Sequence, residues 1–206
     1  MNRVRNIVFG SRVLSMLFTP FYLPLLGLIV LFFLSYLNQL PLAYRLQVLI
    51  IVYFFTILLP TYLIHFYRKY QGWTLIELGR KERRMVPYVI SILCYVTCVW
   101  LMELMHIPHF IGSIVVTALV IQMICAVINI WWKISTHTAG IGGVAGALLV
   151  FAEYFQFNPV WWLTLVIILA GVLGTARMIL RQHTLPQVVV GFWVGLVCAV
   201  LTFILL

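Results

Sequence analysis

Seven apolar runs, each long enough to cross a lipid bilayer, constrain this chain more than any other feature of its sequence. They lie at residues 19–37, 45–67, 87–106, 110–131, 138–156, 159–176 and 186–206. A helix needs about 20 apolar residues to cross a hydrocarbon core of about 30 Å. The runs are continuous, whereas the strands of a membrane β-barrel alternate between apolar and polar residues. The sequence therefore predicts an all-α fold, a polytopic membrane helical bundle with six to seven transmembrane helices.

The composition supports one integral membrane domain over residues 1–206. The mean hydropathy is +1.14 and only 8% of residues are charged, against roughly a quarter in soluble proteins. No connection between the apolar runs is long enough for a soluble domain. Residues 1–18 carry Arg3, Arg5 and Arg12 and lack the pattern of a cleaved signal peptide. We therefore predict that residues 1–18 form an amphipathic helix at the membrane interface.

The net charge of +9 indicates which partners the chain meets. Its cations are dispersed among membrane spans, so we expect contact with the lipid bilayer and its anionic headgroups and not with nucleic acid. The four cysteines, Cys94, Cys98, Cys125 and Cys198, all fall inside apolar runs, where a thiol behaves as a small hydrophobic group. We expect an integral protein of a bacterial inner (cytoplasmic) membrane.

Two polar segments interrupt the apolar runs in the second half of the chain, Lys133–His137 and Arg177–Gln187. Two predicted spans separate these segments, so both must lie on the same side of the membrane. Ionisable residues at the ends of membrane spans are expensive and mark functional sites. The 133–137 segment and the 177–187 segment are therefore predicted to share one site.

A third polar region, the connection from Arg68 to Val86, holds six of the thirteen basic residues. It has two interpretations, which can hold together. Cytoplasmic loops are enriched in Lys and Arg, and clustered guanidinium groups bind phosphate through paired hydrogen bonds.

Two histidines with several cations, and no carboxylate cluster, favour phosphoryl chemistry. Phosphoryl transfer requires positioning and positive charge around the phosphate oxygens, and histidine can attack phosphorus or protonate a leaving group. The alternative is that His137 and His183 are polar residues satisfied within the bundle. The turn with Glu103, His106 and His109 gives only weak evidence for a metal, so we expect no metal and no cofactor.

The spacing within the two segments resembles the type-2 phosphatidic acid phosphatase superfamily, which includes membrane lipid phosphatases, polyprenyl diphosphate phosphatases and lipid phosphotransferases. Arg177 is followed after five residues by His183, and His183 after three residues by Gln187. The family's third motif is Ser-Arg, five residues, His, three residues, Asp. Its second motif is Pro-Ser-Gly-His, and this chain keeps Ser135 and His137. Its first motif, Lys, six residues, Arg-Pro, has only a rough counterpart between Lys81 and Pro87. The resemblance covers residues 80–200, which we predict to form a phosphatase-like core.

The resemblance implies a role for each residue of the site. His183 would be the nucleophile and would form a phosphohistidine, and His137 would be the general acid for the leaving lipid alcohol. Gln187 replaces the Asp that orients the nucleophile, and its amide oxygen can still accept a hydrogen bond. The phosphate would be held by basic residues and one serine, namely Arg177, Ser135, Arg84, Arg83 and Lys81. Two further cations, Lys133 and Arg181, would favour a diphosphate or a doubly charged headgroup.

These roles imply a lipid phosphatase that hydrolyses a phosphomonoester or a diphosphate of a membrane lipid through a phosphohistidine. One alternative is a phosphotransferase that passes the phosphate to another lipid alcohol through the same histidine. Another is a relative without turnover that binds or moves anionic lipids, because Gln187 is neutral. The phosphorylated lipid is the expected partner. The small-residue surface with Gly140, Gly142, Gly143 and Gly146 serves either a homodimer or close packing within the bundle.

Two observations disagree about which side of the membrane carries the site. With seven spans, nearly all basic residues share the side of the two polar segments, which the positive-inside rule makes cytoplasmic. Most members of the superfamily place their site on the outer or lumenal side. The charge distribution favours a cytoplasmic site and an extracytoplasmic C-terminus.

Overall fold

The protein is a bundle of eight helices in a computed structural model that describes residues 2–72 and 85–205. Within these ranges the helices are α1 (Asn2–Leu17), α2 (Leu23–Leu34), α3 (Leu42–Tyr70), α4 (Met85–Leu104), α5 (His109–Trp131), α6 (Thr136–Phe155), α7 (Val160–Ile179) and α8 (Leu185–Leu205). A single 3₁₀ turn, Tyr36–Gln39, follows α2. The described residues contain no strand. The prediction of an all-α fold is confirmed.

Six of the described helices, α3 to α8, are long and apolar enough to span a membrane. The protein is therefore an integral membrane protein, as predicted. Four of the predicted spans, α4 to α7, have bounds within a few residues of those expected. Helix α8 also matches its predicted run. The four cysteines are buried in these spans.

The first predicted span, residues 19–37, is wrong as a single long helix. Helix α2 has only 12 residues, with Pro24 in its first turn, and Ser35 ends it in an extended conformation. Leu23 faces Gly140 near the start of α6, whereas Gln39 lines the same cavity as Phe155 at the end of α6. The segment from α2 to the 3₁₀ turn therefore follows the full length of α6 although its helix is short.

Helix α3 is longer than the predicted run of 45–67 and contains one π turn, Phe54–Leu58. Pro60 follows directly, and a proline has no N–H for the carbonyl one turn earlier. The π turn absorbs this defect within a continuous helix. At the start of α3, buried Arg45 donates to the Phe32 carbonyl at 3.1 Å and to the Asn38 side chain at 2.8 Å. This contact holds the end of α2 against α3.

Glycines bring the backbones of α6 and α8 into direct contact. A methyl group on Gly142 would collide with the Phe192 carbonyl oxygen, and one on Gly195 would collide with the Ala139 carbonyl oxygen. A methyl group on Gly146 would also meet the backbone of α8. The small-residue surface predicted from the sequence is therefore used for packing within the bundle.

Candidate active site

The two polar segments meet at one end of the bundle, where α5 leads into α6 and α7 leads into α8. The backbone N–H of Ser135 donates to the Gln187 carbonyl at 3.3 Å. Gly191 makes this approach possible, because a Cβ there would lie 2.6 Å from the Ser135 carbonyl oxygen. The structure thus brings together the two segments that the spacing of the spans assigned to one side. We call this end of the bundle the site end.

His183 is held by a residue of the same segment. Its Nδ1 lies 3.3 Å from Gln187 Oε1, and the Thr184 backbone N–H donates to the same oxygen at 3.1 Å. The backbone donor identifies the oxygen of the amide, because an amide nitrogen could not accept from it. Nδ1 of His183 is then the protonated nitrogen, and Nε2 carries the lone pair. This is the tautomer that a nucleophilic His183 requires.

Gln187 also has a structural role in starting α8. The helix begins at Leu185, and the side chain of its third residue returns to the N–H of Thr184, which precedes the helix. This reciprocal contact is half of a capping box and satisfies an N–H that the helix leaves without a partner. The same oxygen therefore caps α8 and orients His183.

His137 and Arg177 meet at a residue of α1 that the sequence interpretation did not include. Arg177 Nη1 donates to Ser15 Oγ at 2.6 Å. His137 Nε2 lies 3.2 Å from the Ser15 carbonyl oxygen and 3.4 Å from Ser15 Oγ. A carbonyl only accepts, so Nε2 of His137 carries a proton. The ring also lies within electrostatic reach of both Arg177 and His183, so these three side chains form one cationic and imidazole cluster.

Ser15 could have been noticed from its spacing to Ser11, one helical turn earlier. Both serines are buried on a helix whose other positions include exposed apolar and basic residues. A pair of small polar residues at positions i and i+4 forms one face of a helix, and this face packs on α7.

The other residues of the 133–137 segment contribute in different ways. Ser135 is fully buried, and its hydroxyl accepts from the Thr138 N–H at 3.4 Å as the N-cap of α6. Lys133 is half-buried beside it. Ser135 therefore fixes the start of the helix that carries His137.

Arg181 helps to end helix α7. It adopts a left-handed conformation with φ of 53° directly after α7. Its N–H bonds to Met178, and the next N–H, of Gln182, bonds to Arg177. This pattern is a Schellman motif, which satisfies the last carbonyls of a helix. The Arg181 side chain is exposed, and its described role is to end α7 and turn the chain towards His183.

Three predicted phosphate ligands, Lys81, Arg83 and Arg84, lie outside the described residues. The helix that follows them, α4, begins at Met85. Tyr88 in its first turn accepts a hydrogen bond from Asn129 Nδ2 at 2.7 Å, near the end of α5. The chain therefore enters α4 at the site end.

An apolar cleft of about 780 Å³ runs between α2, α5, α6 and α7. Phe18 and Pro20, which follow α1, line its site end, and Gln39 and Phe155 line the other end. Most of its wall is hydrocarbon, and the polar exceptions near its middle include Thr117 and Gln122. The cleft begins at Phe18, which directly follows α1, and follows the length of α6.

The described residues contain no group of three or more His, Cys, Asp or Glu side chains that could hold a metal ion. The turn with Glu103, His106 and His109 is exposed at the opposite end of the bundle. It lies far from the site because α5 and α6 each run the length of the bundle.

The fold and the cluster at its site end define an integral membrane protein with a histidine and arginine site. Residues 129–206 match the family model of the PAP2 superfamily. This match supports membership of the type-2 phosphatidic acid phosphatase superfamily, the family that the two motifs indicated. The match includes both polar segments and stops short of the basic residues before α4. No curated protein and no solved structure matches the chain.

Proposed function

We propose that this protein is a membrane lipid phosphatase that removes a phosphate from a lipid through a phosphohistidine on His183. One observation carries the proposal: Arg177, His137 and His183 come from the segments that resemble the second and third motifs of the superfamily, and they form one cluster at one end of a membrane bundle. A solely structural role for these residues would not require an arginine and two histidines within electrostatic reach of one another.

In the proposed reaction, His183 attacks phosphorus through Nε2. The P–N bond forms as the bond between phosphorus and the lipid oxygen breaks, and the alkoxide leaves. Gln187 keeps Nδ1 protonated and the ring in place. Because Gln187 is neutral, it does not offset the positive charge that develops on the ring, and turnover is expected to be slower than with a carboxylate. Water then hydrolyses the phosphohistidine and releases inorganic phosphate.

Arg177 and His137 serve the phosphate and the leaving group in this proposal. The Nε–H of Arg177 is buried and has no hydrogen-bond partner among the described residues, so a guanidinium N–H remains for a phosphate oxygen. Because the Nε2–H of His137 is bound to the Ser15 carbonyl, His137 would take up a second proton at Nδ1 and deliver that proton to the lipid alkoxide as it leaves. The basic residues before α4, and Lys133, would add positive charge around the phosphate.

The apolar cleft supports a lipid as the substrate. Its volume falls within the range of about 300–1,000 Å³ that is usual for small-molecule sites, and its wall suits a hydrocarbon chain. The cleft begins at Phe18, three residues after the Ser15 that contacts Arg177, so a chain lying in it would have its phosphate at the site end. A water-soluble phosphate ester would leave this surface uncovered.

The test is release of inorganic phosphate by the purified protein in detergent. Substrates would be phosphatidic acid, phosphatidylglycerol phosphate and a polyprenyl diphosphate, each with the wild type and His183→Ala. We expect release from at least one lipid by the wild type and none by the variant. Equal release by both proteins would refute a histidine intermediate.

Two further outcomes separate the alternatives. Phosphate transfer that depends on an added lipid alcohol, without release to water, would identify a phosphotransferase. Lipid binding that persists without any turnover, and is unaffected by His183→Ala, would identify a binding protein.

A further inference from the structure

Ser15 contacts both partners of the proposed phosphate chemistry, yet it lies in a helix outside the family match. Its hydroxyl accepts from Arg177 at 2.6 Å, which is short for a hydrogen bond from nitrogen. Its carbonyl faces His137 Nε2 at 3.2 Å. Ser15 is 8% exposed, so these contacts are shielded from water and strengthened by the apolar surroundings.

Ser15 contacts one nitrogen of Arg177 and one nitrogen of His137. In each of these two side chains another nitrogen is buried. Arg177 keeps its Nε–H, and His137 keeps Nδ1, and neither atom has a hydrogen-bond partner among the residues described. Buried polar atoms without a partner are costly and require an explanation. An anion beside the cluster would supply an acceptor for Arg177 without displacing Ser15.

The contact through the carbonyl depends on where α1 ends. Helix α1 ends at Leu17, so the Ser15 carbonyl belongs to the last turn, whose carbonyls have no partner within the helix. Positive groups are favoured at this end of a helix. The end of α1 is therefore a suitable support for both an arginine and a protonated imidazole nitrogen.

We propose that Ser15 is a positioning residue of the phosphate site, which α1 supplies from outside the family core. Its hydroxyl orients the Arg177 guanidinium so that the Nε edge faces the phosphate, and its carbonyl fixes the tautomer of His137. This inference rests on the proposed function, since it assigns the cluster to phosphate binding. It also makes helix α1 part of the site.

The experiment measures phosphate binding and turnover separately. Inorganic phosphate binding would be followed by isothermal titration calorimetry in lipid nanodiscs, for the wild type, Ser15→Ala, Ser15→Thr and Ser11→Ala. Loss of one hydrogen bond to a charged group corresponds to about a tenfold weakening or more. We expect weaker phosphate binding and a raised KM for Ser15→Ala, recovery in Ser15→Thr, and no change in Ser11→Ala.

Ser11 is the matched control because it is buried on the same face of α1, one turn away, and takes no part in the cluster. Equal phosphate binding by the wild type and Ser15→Ala would overturn the inference and leave the proposed function intact. Tighter binding by Ser15→Ala would also overturn it, because Ser15 would then compete with phosphate for Arg177. Absence of phosphate binding by the wild type would refute the phosphate site itself, and the inference with it.

Discussion

The two histidines of the site are held in place by different parts of the chain. His183 contacts Gln187, four residues later in the same segment. His137 contacts Ser15, which lies 122 residues earlier in α1. The first contact depends only on the start of α8. The second requires α1 to be packed on α7 and α6 to begin at the right depth.

This difference indicates which part of the site is robust. The orientation of His183 is built into one helix start and persists wherever α8 forms. The orientations of His137 and Arg177 depend on a helix outside the family match. We therefore expect the nucleophile to tolerate changes in the N-terminal region, and the general acid and phosphate ligand to respond to them.

The largest expected effects come from removing each histidine. His183→Ala should abolish turnover of every substrate, because no other group forms the intermediate. His137→Ala should lower turnover of a lipid substrate by about 10²–10⁴-fold, the usual contribution of a general acid. With para-nitrophenyl phosphate the loss should be much smaller, since its leaving group needs no proton.

Steady-state kinetics on the two kinds of substrate measure this difference. His109→Ala is the control, because His109 is exposed at the opposite end of the bundle. An equal loss on both substrates in His137→Ala would contradict the general-acid role.

A smaller effect is expected from a variant that forces apart α6 and α8, the two helices that begin at the polar segments with His137 and His183. Gly195→Ala places a methyl group against the Ala139 carbonyl, and overpacking of this kind costs about 1–3 kcal/mol. We expect a lower unfolding temperature and lower activity, measured by thermal unfolding in detergent. Gly171→Ala is the matched control, since nothing lies within 4 Å of its position. Equal stability of the two variants would mean that α6 and α8 are not held by this contact.

Much of this architecture could be predicted from the sequence, because apolar length and polar interruption are local signals. The spans from α4 to α8 follow directly from runs of apolar residues. The first run misled because hydropathy alone does not register that Pro24 and Ser35 limit α2 to 12 residues. The π turn of α3 was also missed, although Pro60 marks its position.

The site shows the same limit. The spacing of Arg177, His183 and Gln187 is a local pattern, and it was sufficient to indicate the superfamily whose model matches residues 129–206. The contact of Ser15 with Arg177 joins residues 162 positions apart, and no periodicity within α1 specifies that partner. Contacts of this kind depend on how helices pack, which a single sequence does not state.

A third prediction concerns only the contact between Gln187 and His183. Gln187→Glu keeps the length of the side chain and places a carboxylate on the His183 N–H, and a charged acceptor makes a stronger hydrogen bond. We expect kcat to rise by roughly tenfold, about 1.4 kcal/mol of transition-state stabilisation. Gln187→Leu should lower kcat and weaken the start of α8, because the Thr184 N–H loses its acceptor.

Measuring phosphate binding together with kcat separates the local contact of His183 from the contacts of Arg177 with α1. Inorganic phosphate should bind to Gln187→Glu as it does to the wild type, since Arg177 and Ser15 are untouched. A lower kcat in Gln187→Glu would show that the added negative charge repels the phosphate more than it assists His183.

The smallest effect is expected from narrowing the apolar cleft along α6. Val144→Phe would narrow the cleft midway along α6, where Val144 lines its wall. We expect KM for a long-chain lipid phosphate to rise a few-fold, and KM for para-nitrophenyl phosphate to stay unchanged, because only a hydrocarbon chain would occupy that depth. Leu165→Phe is the control, since Leu165 is an exposed apolar residue of α7 and does not line the cleft. If both variants affect long-chain and water-soluble substrates alike, the lipid chain lies elsewhere, and the cleft has no role in substrate binding.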